Sequence, residues 1–431
     1  MTILFKILQV ILALSLLIVI HEFGHFIFAK IFKIRVEKFY LFFDVGGKAL
    51  VKFRIGETEF GIGWLPFGGY CKIAGMIDES MDVESLKREP QPWEFRTHPA
   101  WQRLCVMAGG VLFNFIFAIL AYALISGIYG SAYLSNEGND IYPNELAMDM
   151  GFKPGDHIIS MDDYTPEDFS MLQSDLVRRE VHSVKVLRDG DTTTLYMDKS
   201  RTAEILNTPM MFDLAMPMVV DSVVSEANGH LLRKGDRIVS IEDKSAEYLQ
   251  DASPVLKAHA GNSVKASFIR DGEVQSTELQ VDTLGHIGII MKAPKVEYQK
   301  YNAGQSLARG LKLTGSTISN YAKDLKLVAT PSTGAYKSVG SFIAIGQIFP
   351  NKWDWYQFLS IVALLSIMLG VMNLLPIPGL DGGHILFTLY EIVSGRKPSD
   401  KFLMAAQMIG MLLLFLLMFL AFGNDIARLI H

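Results

Sequence analysis

The sequence contains little cysteine and carries little net charge. Only two of its 431 residues are cysteines, Cys71 and Cys105, which predicts neither a disulfide framework nor a cysteine-based zinc site. The formal net charge of -5 is too small to suggest binding to nucleic acid. Apolar residues are plentiful instead: they make up 50% of the chain, and the mean hydropathy of +0.26 is high for a water-soluble protein.

Four long apolar runs provide this excess. They cover about residues 3–31, 104–129, 358–377 and 402–422, and each is near the ~20 residues that a membrane-spanning helix needs. The first run continues beyond the usual length of a signal-peptide core, and no small-residue cleavage site follows it. We therefore predict four transmembrane helices, the first of them retained.

The lysines and arginines beside these runs predict how the chain crosses the membrane. They cluster after the first run, before the second, and between the third and fourth. Because basic residues favour the cytoplasmic side, residues 130–355 and both termini are predicted to face the other side. The clusters consist of Lys30, Lys33, Arg35, Lys38, Arg96, Arg103, Arg396, Lys397 and Lys401.

Three further segments are mixed or polar in character. Residues 39–73 alternate short aromatic and β-branched runs with glycine pairs, a pattern typical of β-hairpins. We predict that they form a membrane-dipping β-hairpin region, with a small cytoplasmic sheet as the alternative. Residues 74–103 predict a polar cytoplasmic loop, and residues 294–356 predict a juxtamembrane segment before the third helix.

The long segment between the second and third apolar runs contains an internal repeat. The stretch FKPGDHIISMDD at 152–163 matches LRKGDRIVSIED at 232–243. Each copy continues into a helical stretch and then two strands joined by Asp-Gly, a strong hairpin signal. This order resembles PDZ domains of the bacterial, circularly permuted kind. We predict two tandem PDZ-like α+β domains, at 131–200 and 205–293.

The first apolar run contains the sequence His21-Glu22-Phe23-Gly24-His25. On a helix, histidines four residues apart lie on one face, so both imidazoles can reach one metal ion. The intervening glutamate is then placed to act as a general base. Ionisable groups in a membrane span indicate function by default, and the alternative is a set of polar groups that join helices by hydrogen bonds.

Two histidines do not complete a metal site, and the third apolar run offers further ligands. It ends in LGVMNLLPIPGLDGGHIL at 369–386, where proline and glycine break the helix and can redirect Asp381. The second candidate in this stretch is His384. Asp381 could instead cap the helix that follows it. Its combination with the two histidines of the first run favours the role of ligand.

HEFGH, NLLPIPGLDGG at 373–383 and the PDZ-like repeats between them resemble the site-2 protease family. The resemblance is closest to the bacterial group that regulates sigma-E, and it covers essentially the whole chain. It implies a polytopic α-helical membrane protein with a membrane-associated β-hairpin region and two periplasmic PDZ-like domains. The four transmembrane helices are then expected within 1–38, 104–130, 357–390 and 402–423.

The resemblance also implies an activity and roles for residues. Family members are zinc intramembrane metalloproteases that cut single-span membrane proteins, such as an anti-sigma factor or a remnant signal peptide, after a first cut by another protease. One zinc ion would be bound by His21, His25 and Asp381, with Glu22 as the general base and Asn373 holding the substrate backbone. The hairpin region would clamp the substrate as an added strand, and the PDZ-like pair would act as a size filter.

The implied location is the bacterial inner membrane, with the active site toward the cytoplasm. The chain departs from the family pattern in its second helix, where Gly109-Gly110 precedes Asn114 in place of a Gly-Pro pair, and this leaves the role of Asn114 open. A catalytically silent scaffold or receptor with PDZ-like domains is the alternative function, and a metal transporter is a third. A silent protein is expected to lose Glu22 or a ligand, and this chain keeps all four residues.

Overall fold

The computed structural model describes residues 2–76 and 89–430. Residues 77–88, which belong to the predicted cytoplasmic loop 74–103, lie outside this range. The chain divides into two compact units. The first contains Met1–Gly130 and Lys300–His431, and the second contains Ser131–Gln299.

Eleven α-helices form within the described residues. They are α1 Thr2–Ile31, α2 Ala100–Tyr129, α3 Glu145–Asp149, α4 Leu172–Arg178, α5 Thr202–Asn207, α6 Leu249–Ala258, α7 Ala303–Val328, α8 Phe342–Ile348, α9 Trp355–Leu374, α10 Asp381–Ser394 and α11 Asp400–Ile430.

Seventeen β-strands form in the same part of the chain. They are β1 Val36–Phe43, β2 Ala49–Ile55, β3 Thr58–Gly63, β4 Leu65–Ile73, β5 Ser131–Leu134, β6 Ile141–Pro143, β7 His157–Met161, β8 Ser183–Arg188, β9 Asp191–Tyr196, β10 Phe212–Leu214, β11 Val220–Val223, β12 Arg237–Ile241, β13 Lys244–Ser245, β14 Ser263–Arg270, β15 Glu273–Gln280, β16 Ile289–Met291 and β17 Val296–Gln299.

Four of the described helices are long and apolar enough to cross a membrane, in agreement with the four predicted spans. Their apolar parts are Leu4–Ile31, Ala100–Tyr129, Trp355–Leu374 and Lys401–Ala427. By length and composition, these four helices are candidates to span a membrane.

The predicted third span, 357–390, is not one helix. Helix α9 ends at Leu374 and α10 begins at Asp381. Pro376 and Pro378 follow the end of α9, and proline cannot donate the N–H that would continue a helix. The residue before Pro376 already has an extended backbone, as proline requires of its predecessor. Residues 375–380 therefore form a bend between two helices.

Helices α1 and α2 approach each other unusually closely in the first unit. A Cβ atom on Gly24 would lie only 2.2 Å from the carbonyl oxygen of Gly109, and one on Gly109 would lie 2.6 Å from the carbonyl oxygen of Gly24. Such contacts between backbones require small residues at the crossing point. The crossing places the middle of α1 directly against the middle of α2.

Residues 36–73 form a four-stranded sheet rather than a simple hairpin. The strand order is β2-β3-β1-β4, with β1 and β3 parallel and the other neighbours antiparallel. One face carries Phe39, Phe53 and Phe60, and the rings of Phe39 and Phe60 pack against Phe26 of α1. The sheet begins at Val36, three residues before the predicted region, because β1 pairs along its whole length with β4.

The predicted juxtamembrane segment, 294–356, contains the long helix α7, which was not predicted from the sequence. Helix α7 begins with a capping box. The side chain of Asn302 accepts from the backbone N–H of Gln305, and the side chain of Gln305 accepts from the backbone N–H of Asn302. Helix α7 packs closely along α2, since a Cβ on Gly310 would lie 2.4 Å from the carbonyl oxygen of Ile119. The helix contains several lysines, including Lys312 and Lys323, so its sequence does not form an apolar run.

The second unit contains the two copies of the sequence repeat. The first copy runs β7, α4, β8 and β9, and the second runs β12, α6, β14 and β15. In both copies an Asp-Gly pair with positive φ closes the final hairpin, at Asp189-Gly190 and Asp271-Gly272, as the sequence predicts.

Two strand pairs cross the limits of the two predicted domains. Strand β6 of the first range, 131–200, pairs with β10 of the second range, 205–293. Strand β5 pairs with β17, which lies beyond the predicted end at residue 293. The PDZ-like character and the exact boundaries remain predictions.

Each copy of the repeat contains an ion pair between an arginine and a buried aspartate, and the two pairs occupy equivalent positions. Arg188 binds Asp156 in the first copy, and Arg270 binds Asp236 in the second. The Asp236 side chain is almost completely buried. Burial alone would raise the pKa of Asp236, but hydrogen bonds from Arg270 outweigh this effect and hold it below its usual value.

Replacing Arg270 is expected to destabilise the second repeat strongly. Arg270→Gln leaves the buried Asp236 carboxylate without the guanidinium of Arg270, and a buried charge that loses its partner lowers the free energy of unfolding. Hydrogen exchange of strand β14 in the full chain measures this loss. The control is Arg237→Gln, whose partner Glu247 is 3.5 Å away and whose side chain is half exposed. Equal exchange in both variants would contradict the prediction.

Candidate metal centre

Helix α1 presents the two histidines of HEFGH on one face. The helix is continuous from Thr2 to Ile31, so His21 and His25 lie one turn apart. Both residues are buried, and their Nε2 atoms are 3.3 Å from each other. The two imidazoles therefore converge on one point, as the spacing predicts.

The bend after α9 brings Asp381 to the same point. Its Oδ2 atom lies 3.1 Å from Nε2 of His21 and 3.3 Å from Nε2 of His25. Two glycines allow the bend, since Gly379 has a φ of +99° and a Cβ on Gly382 would lie 2.1 Å from the carbonyl oxygen of Leu375.

The sequence also suggested a helix-capping role for Asp381 and a ligand role for His384. The N-cap of α10 is Leu380, and Asp381 is the first residue inside the helix. His384 lines the same cavity but is not one of the residues whose ligand atoms converge. Among the described residues, the cluster consists of His21, His25 and Asp381, with all ligand atoms within 4.8 Å of one another.

The three ligand atoms have the spacing that a tetrahedral metal ion needs. Their separations are 3.1, 3.3 and 3.3 Å. Bonds of 2.0–2.1 Å at tetrahedral angles place neighbouring ligand atoms about 3.3 Å apart. The Oδ2 atom of Asp381 is buried, and its nearest polar neighbours are the Nε2 atoms of the two histidines. The three atoms can therefore form one face of a tetrahedron around a metal ion.

Helix α2 holds the second nitrogen of each imidazole. Nδ1 of His25 lies 2.8 Å from the backbone carbonyl of Val106, so its N–H donates there and leaves the Nε2 lone pair free. Nδ1 of His21 lies 3.1 Å from the side-chain amide of Asn114. Asn114, whose role the sequence left open, is thus completely buried against a predicted ligand.

Glycine in α2 provides the space for both imidazoles. A Cβ on Gly110 would lie 2.5 Å from Nε2 of His25 and 2.7 Å from Cε1 of His21. No role for Gly24, Gly109 or Gly110 was predicted from the sequence. The available signal was a set of glycines in apolar helices, a composition associated with close helix contacts in membranes.

Glu22 and Asn373 lie beside the three convergent residues. Glu22 lines the same cavity, whose volume is about 790 Å³, and the backbone N–H of Cys71 donates a hydrogen bond to its carboxylate. Nδ2 of Asn373 is 3.2 Å from Nε2 of His21. All five residues selected from the sequence therefore lie together in one cavity of the first unit.

Strand β4 forms one wall of this cavity. It contributes Gly68, Gly69, Tyr70, Cys71 and Lys72 to the lining. Among the residues that the structure describes, it is also an edge of its sheet, since its one hydrogen-bonded neighbour there is β1. The cavity thus combines an acidic group, a cluster of metal-ligand type and a strand edge.

Comparison with known proteins gives one consistent result. The model of Peptidase family M50 matches residues 9–417. A regulator of sigma-E protease from Salmonella typhimurium is 30% identical over 100% of both chains. A putative zinc metalloprotease from Vibrio cholerae is 28% identical over 99% of both chains. A protease named RseP from Yersinia pestis is 29% identical over 100% of both chains.

The family model covers nearly all of the chain, including both parts of the first unit and the cluster of His21, His25 and Asp381. The chain therefore belongs to peptidase family M50, the site-2 protease family of zinc metalloendopeptidases.

Proposed function

We propose that this protein cleaves a peptide bond within or near the membrane span of single-span membrane proteins. One zinc ion would be bound by His21, His25 and Asp381. The observation that carries the proposal is the convergence of these ligand atoms, at separations of 3.1–3.3 Å, beside Glu22 in an apolar helix. Function is the usual reason for such groups at that depth.

Each group at the site would have a separate role in the reaction. Zinc supplies Lewis-acid polarisation of a carbonyl and makes water easier to deprotonate near neutral pH. The Glu22 carboxylate accepts the proton of the attacking water, and the N–H of Cys71 holds that carboxylate in the cavity. Asn373 presents its amide next to His21, where it can hold the substrate backbone.

The edge of β4 is suited to bind the substrate in an extended form. A membrane helix must unwind before its peptide bonds can be attacked, and unwinding frees N–H and C=O groups. An edge strand can pair with such groups by adding the segment to its sheet. Because β4 also contains Cys71, the added segment would pass beside Glu22.

The location and partners are proposed from the membrane spans and the relatives. We infer a location in a bacterial inner membrane as a multi-pass protein, with the PDZ-like domains at 131–200 and 205–293 and both termini periplasmic and the active site toward the cytoplasm. The clusters of basic residues support this orientation. Relatives named as regulators of sigma-E protease support an anti-sigma factor as substrate, after a first cut by another protease. Remnant signal peptides are a further substrate class, and the two PDZ-like domains would act as a size filter.

Removing the metal is expected to abolish cleavage reversibly. The purified full chain, in detergent, is given a tagged single-span substrate, with and without a chelator, and zinc is then restored. Cleavage should stop with the chelator and return with zinc, because the three ligands cannot act on a carbonyl themselves. Mass spectrometry of the products places the cut. Cleavage that is unaffected by the chelator, or located far outside the span, would contradict the proposal.

A further inference from the structure

The imidazole of His21 has an amide N–H donor at each of its nitrogens. Nδ2 of Asn114 is 3.1 Å from Nδ1, and Nδ2 of Asn373 is 3.2 Å from Nε2. A neutral imidazole has one acceptor nitrogen, so it cannot accept from both amides. One of the two amides must present its oxygen to the ring.

Asn114 is the amide with an unsatisfied oxygen. It is completely buried, and its Oδ1 atom has no hydrogen-bond partner among the described residues. A half turn of the amide exchanges Oδ1 and Nδ2 with almost no change of shape. After that turn, Oδ1 accepts a hydrogen bond from Nδ1–H of His21, which leaves Nε2 as the one acceptor nitrogen of the ring.

We infer that Asn114 is a positioning residue for His21. Its Oδ1 fixes the proton on Nδ1, so that the lone pair of Nε2 faces Asp381 and His25. This assignment rests on the proposed role of His21 as a metal ligand. It goes beyond that role because it names the group that selects the metal-binding tautomer.

The two histidines then have equivalent support from helix α2. Val106, Gly110 and Asn114 are spaced four residues apart and lie on one face of α2. The carbonyl of Val106 accepts from Nδ1 of His25, and the turned amide of Asn114 accepts through Oδ1 from Nδ1 of His21, at the place where Nδ2 now lies 3.1 Å from that nitrogen. Oγ of Ser366 donates to the backbone carbonyl of Asn114 at 2.9 Å, a contact that does not involve the Asn114 side chain.

Zinc affinity of Asn114 variants tests this inference. The full chain is purified in detergent, and zinc binding is measured by competition with a chromophoric chelator. Asn114→Leu has a similar shape and no acceptor, and it should bind zinc about 10- to 100-fold more weakly. Asn114→Asp keeps an acceptor at the same place and should bind at least as tightly as the wild type.

The controls separate positioning from packing. Ser366→Ala removes the hydrogen bond to the Asn114 backbone without touching an imidazole, and it should leave zinc affinity within about threefold of the wild type. Each variant is checked for intact folding by size-exclusion chromatography. The inference is overturned if Asn114→Leu binds zinc as tightly as the wild type, or if Asn114→Asp is as weak as Asn114→Leu. If the wild type does not bind zinc at all, the proposed function fails first.

Discussion

Glu22→Gln is expected to lower turnover about 10²- to 10⁴-fold, the usual contribution of a general base, with zinc binding unchanged. Glutamine has nearly the same shape as glutamate but cannot take a proton from water. The three residues that converge with ligand spacing are His21, His25 and Asp381, so replacing Glu22 removes no ligand. The amide of glutamine can still occupy the position beside the N–H of Cys71.

Two measurements check this prediction together. Cleavage of the tagged single-span substrate gives the rate, and metal analysis of the same preparation gives the zinc content. Glu57→Gln is the matched control, because Glu57 is an exposed acid on the turn between β2 and β3 and lies outside the cavity. If Glu22→Gln cuts as fast as the wild type, Glu22 is not the base. If it loses zinc as well as activity, its role is structural.

Gly110→Ala is expected to displace the histidines and to lower zinc content strongly. The new methyl carbon would lie 2.5 Å from Nε2 of His25 and 2.7 Å from Cε1 of His21. Both imidazoles are hydrogen-bonded to α2, at Val106 and Asn114. A methyl group on the same helix would push the imidazoles away from α2 and break those hydrogen bonds. Zinc affinity should fall by at least 10-fold, in the range seen when groups that support metal ligands are removed.

The control for this variant is another glycine in a membrane-spanning helix. No atom of the described residues lies within 4 Å of the position that a Cβ on Gly423 would occupy, so Gly423→Ala should leave zinc binding and cleavage unchanged. Zinc content and substrate cleavage are measured for both variants in detergent. Equal zinc content in Gly110→Ala and the wild type would show that the helices move apart to accept the methyl group.

The parts of the site that the sequence revealed are those with local causes. The four spans follow from runs of apolar residues, and the pairing of His21 with His25 follows from the period of a helix. The bend at Asp381 follows from two prolines and the glycines beside it. Each of these features depends on neighbours within one or two helical turns, so the sequence contains the necessary information.

The features that were missed depend on contacts between distant parts of the chain. Gly110 matters because α1 crosses α2 at that point, and the sequence does not give the crossing point. The parallel pairing of β1 with β3 joins strands that are not consecutive, so turn residues do not predict it. Helix α7 has too many lysines to be recognised as part of a membrane domain, and its place is fixed by small residues such as Gly310 packing on α2.

The pairing of β5 with β17 has a consequence for how this architecture can vary. Ser131 and Gln299 are partners in that pairing, so the chain enters and leaves the second unit at adjacent points. An insertion with adjacent ends can be shortened, enlarged or exchanged while the two flanking helices stay in place. The protease core and its inserted unit can therefore change separately in the course of evolution.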